Sequence, residues 1–194
     1  MEFKEELFGD RLVLRQTRPT QEMAETIFKA VDECREYLRP FAPWEKNDDS
    51  VESCLKYLKA KEPKTEAGDR VEYGIFIKEN NMYIGNIQVF DLSKEKRSGE
   101  FGYWLAEKAT GHGYMRETVG ILEKECFISL NLNRIQITCN ALNEVSIRVI
   151  KACGYRYEGT LREERYEEYQ EAMCDTMVFS KLRSEYDNNV RSKT

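Results

Sequence analysis

The chain predicts a mixed α/β fold, α+β-like in the order of its elements, on three observations. Apolar residues alternate along five or more short stretches, the period of strands, and recur every three or four residues in segments that follow Thr20, Ser50, Gly113 and Asn143. Three strand-like stretches come in succession with only short polar loops between them, as antiparallel neighbours do. Then a strand, a glycine turn, a helix and a further strand follow, a unit whose crossover makes one parallel pair.

In chain order, residues 11–15 alternate as a strand, and Thr20 caps a helix with Met23, Ile27 and Val31 at four-residue spacing. Residues 37–44 break that pattern with two prolines. Ser50 caps a second helix that places Val51, Cys54, Leu55 and Leu58 on one face and ends before Pro63, leaving 64–70 as a polar loop. Residues 71–78 and 82–91 form a hairpin around Glu79, Asn80 and Asn81, and 98–106 adds a third strand after a charged loop at 94–97. Met115, Val119, Leu122, Cys126 and Leu130 lie on one side of the next helix, the spacing needed to pack on a sheet. Residues 134–140 carry Ile135, Ile137 and Cys139 on one face, and a short helix from Glu144 ends at Gly154. Two strands near 155–162 and 173–182 follow. Residues 1–183 thus form a single domain, and 184–194 a flexible C-terminal tail.

At 194 residues the chain is long enough to bury a sizeable core. Its 30 Lys and Arg against 35 Asp and Glu, a formal charge of −5, disfavour nonspecific binding to nucleic acid or anionic membranes. The first residues, MEFKEELFGDR, are too charged for a secretory signal, and no apolar run approaches the roughly 20 residues that cross a bilayer. A cytoplasmic protein is the expectation. None of the six cysteines forms a C-x-x-C pair and His112 is the single histidine, so a metal site lacks its ligands. Most cysteines fall at apolar positions, where the thiol serves as a small hydrophobe.

The most informative stretch is SGEFGYWLAEKATGHGYMRE, residues 98–117, where an apolar strand runs into a glycine turn that opens a helix. Such a turn seats phosphate: glycine lets a ligand reach the backbone, and the first amides of the helix lack internal acceptors. Purely steric reasons for two glycines at a turn are the alternative. The turn lacks the GK[ST] ending of a P-loop, and Arg116 stands where a dinucleotide fingerprint needs its third glycine.

With this turn, the phrases GYWL, GHGYM, NEVSIRVIKACGY and EGTLRE resemble, in order and spacing, the GNAT superfamily of acetyl-CoA-dependent N-acetyltransferases, and within it the RimJ/RimL type that acetylates ribosomal-protein N-termini. The likeness covers about residues 11–182. The superfamily's acetyl-CoA signature falls on Thr110, Gly113 and Met115, of which Gly113 is the strict match; Met115 and Gly111 look like the RimL-type branch. The resemblance implies a mostly antiparallel twisted sheet with one parallel, splayed strand pair and flanking helices. It also implies acetyl-CoA as co-substrate, no metal, an amine acceptor such as a ribosomal-protein N-terminus, and a monomer or homodimer. A small-amine acetyltransferase and a noncatalytic acyl-CoA-binding module are the alternatives.

Carried over residue by residue, the resemblance assigns Glu100 as general base, against a solvated strand residue as the plain alternative. A backbone amide at Leu105 or its neighbours polarises the thioester oxygen. The run Thr110, Gly111, His112, Gly113, Tyr114, Met115 and Arg116 binds the cofactor, with Arg116 either reaching a phosphate or lying solvated. Asn143 anchors the pantetheine arm, caps a helix, or does both. Many relatives carry an acidic tyrosine where this chain has Ile150, which leaves Ser146 to face the leaving thiolate, or merely to sit in a first helical turn. Phe41 and Trp44, in YLRPFAPWE, wall the acceptor site or pin two helices to the core. In REERYEEYQE, Glu163, Glu164, Glu167 and Glu168 read first as the wet face of a hairpin and second as an attraction for a basic peptide or polyamine.

Overall fold

The computed structural model describes residues 1–191. Its strands are β1 (Glu6–Phe8), β2 (Leu12–Gln16), β3 (Val71–Ile77), β4 (Met82–Ser93), β5 (Ser98–Leu105), β6 (Arg134–Asn140), β7 (Arg156–Glu167) and β8 (Ala172–Leu182). The helices are α1 (Gln21–Asp32), α2 (Arg35–Leu38), α3 (Val51–Glu66), α4 (Tyr114–Lys124), α5 (Glu144–Ala152) and α6 (Arg183–Arg191). All eight strands join one sheet in the order β1-β2-β3-β4-β5-β6-β8-β7. The β5–β6 pair is parallel and its neighbours are antiparallel, as the glycine-turn crossover dictates.

Two apolar clusters cover the two faces. Met115, Val119, Leu122 and Cys126 of α4 and its continuation, with Ile150 of α5, pack on Leu14, Ile75, Ile87, Phe101, Ile135 and Ile137. On the opposite face Ala24, Ile27 and Val31 of α1 and Cys54 and Leu58 of α3 pack together with Trp104 and Tyr83. Thr20 and Ser50 start α1 and α3 by accepting from the amides of Met23 and Ser53.

The structure departs from expectation at four places. Helix α3 runs through Pro63 to Glu66, and the Lys59 carbonyl that the proline leaves unbonded and crowds lies on an exposed turn, open to water. The proline-broken stretch at 37–44 holds the end of α2 and the start of a 3₁₀ turn, Pro43–Asn47. β1 is too short to show a period in sequence. The expected tail is helical through Arg191: Tyr186 lies 5.1 Å from the Phe127 ring, and Glu185 pairs with Arg156. Residues 192–194 lie outside the described residues. No helix among the described residues is long and apolar enough to cross a membrane.

Candidate active site

The site begins where β5 and β6 part. Their pairing starts at Ser98–Arg134 and ends at Phe101–Ile137, yet each strand continues along its outer partner, β5 to Leu105 opposite Gly85, and β6 to Asn140 opposite Thr176. Gly85 lets β4 hold on to β5: its φ is +146°, and a Cβ there would stand 2.2 Å from the Trp104 carbonyl. The Ala106 amide donates to Ile84 on the β4 side. Since amides alternate along a strand, those of Leu105 and Tyr103 face the fork.

Side chains alternate as well, so the fork joins the two faces of the sheet. Phe101, Tyr103, Ile137 and Cys139 belong to the face covered by α4 and α5, whereas Trp104 belongs to the face covered by α1 and α3. A cleft of about 840 Å³ opens here, lined by Tyr103, Trp104, Thr138, Cys139, Asn140, Asn143 and Ser146 from the fork and α5. Phe41, Trp44, Asp48 and Glu167 line its walls. The Asn140 Oδ1 accepts from the Leu142 amide at 2.8 Å, while its Nδ2 is buried on this lining and finds no hydrogen-bond partner among the described residues.

Asn143 is the N-cap of α5, its Oδ1 accepting from the Ser146 amide at 3.0 Å, which leaves its Nδ2 for the cleft. Ser146 Oγ lies 3.0 Å from the Tyr103 hydroxyl, a partner with no signal in the sequence. Burial lifts the Tyr103 phenol above its ordinary value, and it pushes the nearby Cys139 thiol up to about 11. Both stay protonated at neutral pH. All six cysteines are unbridged, and burial also raises the Cys34, Cys54, Cys126 and Cys153 thiols.

Glu100 comes to the root of the fork without entering the cleft lining. Thr138 Oγ1 donates to its Oε1 at 2.6 Å and Gln136 Nε2 to its Oε2 at 2.9 Å. Thr138 does line the cleft, so the carboxylate is one hydroxyl removed from it. Phe41 and Trp44 line the cleft, and Trp44 meets Trp104, an aromatic the sequence did not single out, at 5.5 Å between ring centres.

The glycine turn follows the end of β5 and opens to solvent. Gly111 and Gly113 have φ of +79° and +76°, and Gly113 serves as N-cap of α4 with no side chain capping the helix. The first amides, at Tyr114, Met115 and Arg116, thus have no intrahelical acceptor. Met115 offers only its amide, since its side chain is buried in the core. His112 and Arg116 are exposed, and the Thr110 hydroxyl is spent on the Glu107 carbonyl at 2.8 Å. Arg11 completes the turn: its Nη1 donates to the His112 carbonyl at 2.9 Å and its Nε to Glu117 at 2.8 Å. The one acid in the helix's first turn is therefore neutralised beside the open amides.

The fold is shared with solved structures. A RimL ribosomal L7/L12 alpha-N-protein acetyltransferase in complex with coenzyme A superposes with a TM-score of 0.85 at 19% identity, over 93% of this chain and 99% of that one. A ribosomal-protein-S5-alanine acetyltransferase from Vibrio fischeri gives 0.83 at 22% identity, over 94% and 99%. Among sequences, the uncharacterized N-acetyltransferase p20 of Bacillus licheniformis is 33% identical over 119 residues, 61% of this chain and 66% of p20. The uncharacterized N-acetyltransferase YoaA of Bacillus subtilis is 28% identical over 173 residues, 88% of this chain and 93% of YoaA. The profile described as acetyltransferase (GNAT) domain matches residues 11–156, three quarters of the length and the whole of the fork and turn, and the chain belongs to that family.

Proposed function

We propose that this chain transfers the acetyl group of acetyl-CoA to a primary amine, and that the N-terminal amine of a protein is an acceptor. The carrying observation is the fork: it gives two molecules access to one another from opposite faces of the sheet, the α4/α5 face for the cofactor and the α1/α3 face for the amine. The RimL and S5-alanine acetyltransferases of the same fold supply the protein N-terminus as acceptor class. Six unbridged cysteines fit the reducing cytoplasm, where we place the protein.

The residues present fit the cofactor. Uncapped amides after Gly113 suit its diphosphate, the unpartnered Nδ2 of Asn140 and the Nδ2 of Asn143 suit the polar groups of its arm, and Arg11 removes the charge of Glu117 from the approach. Acetyl-CoA supplies a thioester, whose carbonyl oxygen gathers negative charge as a neutral amine attacks. The Leu105 amide, turned into the fork, donates to that oxygen. Thr138 passes the amine's proton to Glu100 along the 2.6 Å hydrogen bond. As the C–S bond breaks and the C–N bond forms, Ser146 donates to the sulfur and is itself reprotonated by Tyr103, which draws its proton back from water.

Purified protein with acetyl-CoA and a panel of amines, including peptides with free N-termini, tests this. Free thiol released only with an acceptor, together with acetylated product by mass, is the expected result. If acetyl-CoA raises the melting temperature and no amine is acetylated, the chain is a binding module.

A further inference from the structure

Resting on the transferase reading, we infer that Glu167 and Asp48 form a subsite for a second positive charge on the acceptor, a cation in addition to the amine that is acetylated. Six carboxylates are buried in the described residues: Glu45, Asp48, Glu72, Glu123, Glu125 and Glu167. Four are answered by a cation of the protein, Glu45 by Arg35 and Arg39, Glu72 by Lys61, Glu123 by Lys181 and Glu125 by Lys4. The remaining two, Asp48 at 9% and Glu167 at 6% exposure, have no ion pair among the described residues, and both line the cleft. A buried carboxylate without a cation is costly, and a charge supplied by a ligand removes that cost.

Glu167 corrects the expectation of a uniformly wet hairpin: Glu163, Glu164 and Glu168 are exposed, and Glu167 turns inward. The tip of its hairpin is fastened to the α2–α3 connector, with Lys46 paired to Glu168 and Gln170 Nε2 donating to the Pro40 carbonyl at 3.0 Å. The cations near these walls are engaged elsewhere or exposed at the rim: Arg35 and Lys61, which act on Asp48 at longer range, pair with Glu45 and Glu72, Lys46 pairs with Glu168, Arg165 with Glu164, and Lys56 lies in solvent. Burial raises the Asp48 carboxyl, and the Cys54 thiol beside it carries no charge. Trp44, Trp104 and Phe41 on the same lining suit a cation through their ring faces.

The acetylated amine does not itself satisfy these acids. It must be neutral to attack, and a carboxylate holding it as ammonium opposes that. Asp48 and Glu167 stand on the connector and the hairpin, not on the forked strands where attack occurs. A diamine, or a peptide N-terminus followed by a basic residue, has the second charge.

Steady-state thiol release with butylamine against 1,4-diaminobutane, and with a tetrapeptide carrying lysine against glutamine at its second position, tests the subsite and distinguishes a small from a peptide source. In the wild type kcat/KM is at least tenfold higher for the dication of one or both pairs. In Glu167→Gln that ratio falls at least tenfold, chiefly through KM, and Glu167→Asp restores part of it, whereas a merely structural loss lowers both acceptors of a pair alike. A ratio that Glu167→Gln and Asp48→Asn leave unchanged overturns the subsite while leaving the transferase standing. No acetylation of any amine by the wild type overturns both.

Discussion

The Tyr103 hydroxyl and Ser146 Oγ lie 3.0 Å apart and join strand β5 to helix α5 across the fork. Serine alone is a poor acid, and relatives that use a tyrosine have it on the helix, where this chain has Ile150. Here a phenol meets Ser146 from the strand. Ser146→Ala is expected to lower kcat on the order of 10²-fold with the KM for acetyl-CoA little changed, because the lost contact forms as charge gathers on sulfur. Tyr103→Phe lowers kcat less, and the double variant is no worse than Ser146→Ala, since one chain of protons is cut once. Pre-steady-state thiol release against the four proteins of this cycle measures the coupling.

The glycine turn separates stability from binding. A Cβ at Gly113 would stand 3.7 Å from Arg11 Nη2, ordinary contact, so the protein has room for a methyl group there. The cost of Gly113→Ala is then the left-handed backbone alone, about 1–2 kcal/mol. A ligand lying on the same backbone has no such room. Gly113→Val is expected to weaken acetyl-CoA at least tenfold, read as a lost melting-temperature shift on adding acetyl-CoA to a variant that still melts cooperatively.

Much of this was legible in sequence because local chemistry decided it. Thr20, Ser50, Asn143 and Gly154 end or begin helices as their side chains or backbone freedom require, and residues 134–140 show their strand outright. The parallel pair followed from one strand–helix–strand order. What stayed hidden depends on approach across the sheet. Tyr103 meeting Ser146, Thr138 standing between Glu100 and the cleft, and Arg11 reaching His112 across 101 positions have no local signal. Glu167 was hidden for a related reason: its strand neighbours are all exposed, and only the docking of the hairpin tip on the connector buries it. Pro63 misled because the helix runs three residues past it, where the Lys59 carbonyl that loses its bond lies on an exposed turn.

Lys61 and Glu72 form a pair 2.7 Å apart, at 4% and 5% exposure, under the cleft wall. Tyr57 at 2.9 Å and Asn86 at 2.7 Å also donate to this carboxylate, and Arg70 stands farther off at 3.6 Å, so removing the lysine leaves a buried charge without its short ion pair. Lys61→Met is expected to destabilise by about 3–5 kcal/mol in urea unfolding. Adding Glu72→Gln recovers part of the loss by removing the charge while keeping an acceptor for Tyr57 and Asn86. A single variant as stable as the double would show that the lysine does not compensate Glu72.

Glu158 governs one edge of acid stability. Hydrogen bonds from Arg134 and then Ser180 hold its carboxyl well below the usual range, at about 2. A depressed carboxylate contributes above its unfolded value, near 4.3, and that contribution is lost as pH falls toward 2. Glu158 is 41% exposed and Arg134 29%, so solvent screening holds the pair to about 1 kcal/mol. Glu158→Gln is therefore expected to be less stable than wild type at pH 7 by about that amount. Because glutamine does not titrate, the difference between the two proteins shrinks through the window from about pH 4.3 downward. Urea midpoints for both proteins at pH 7, 5, 4 and 3 follow it, and a constant gap across that series would place the stabilisation in the side chain's packing and not in its charge.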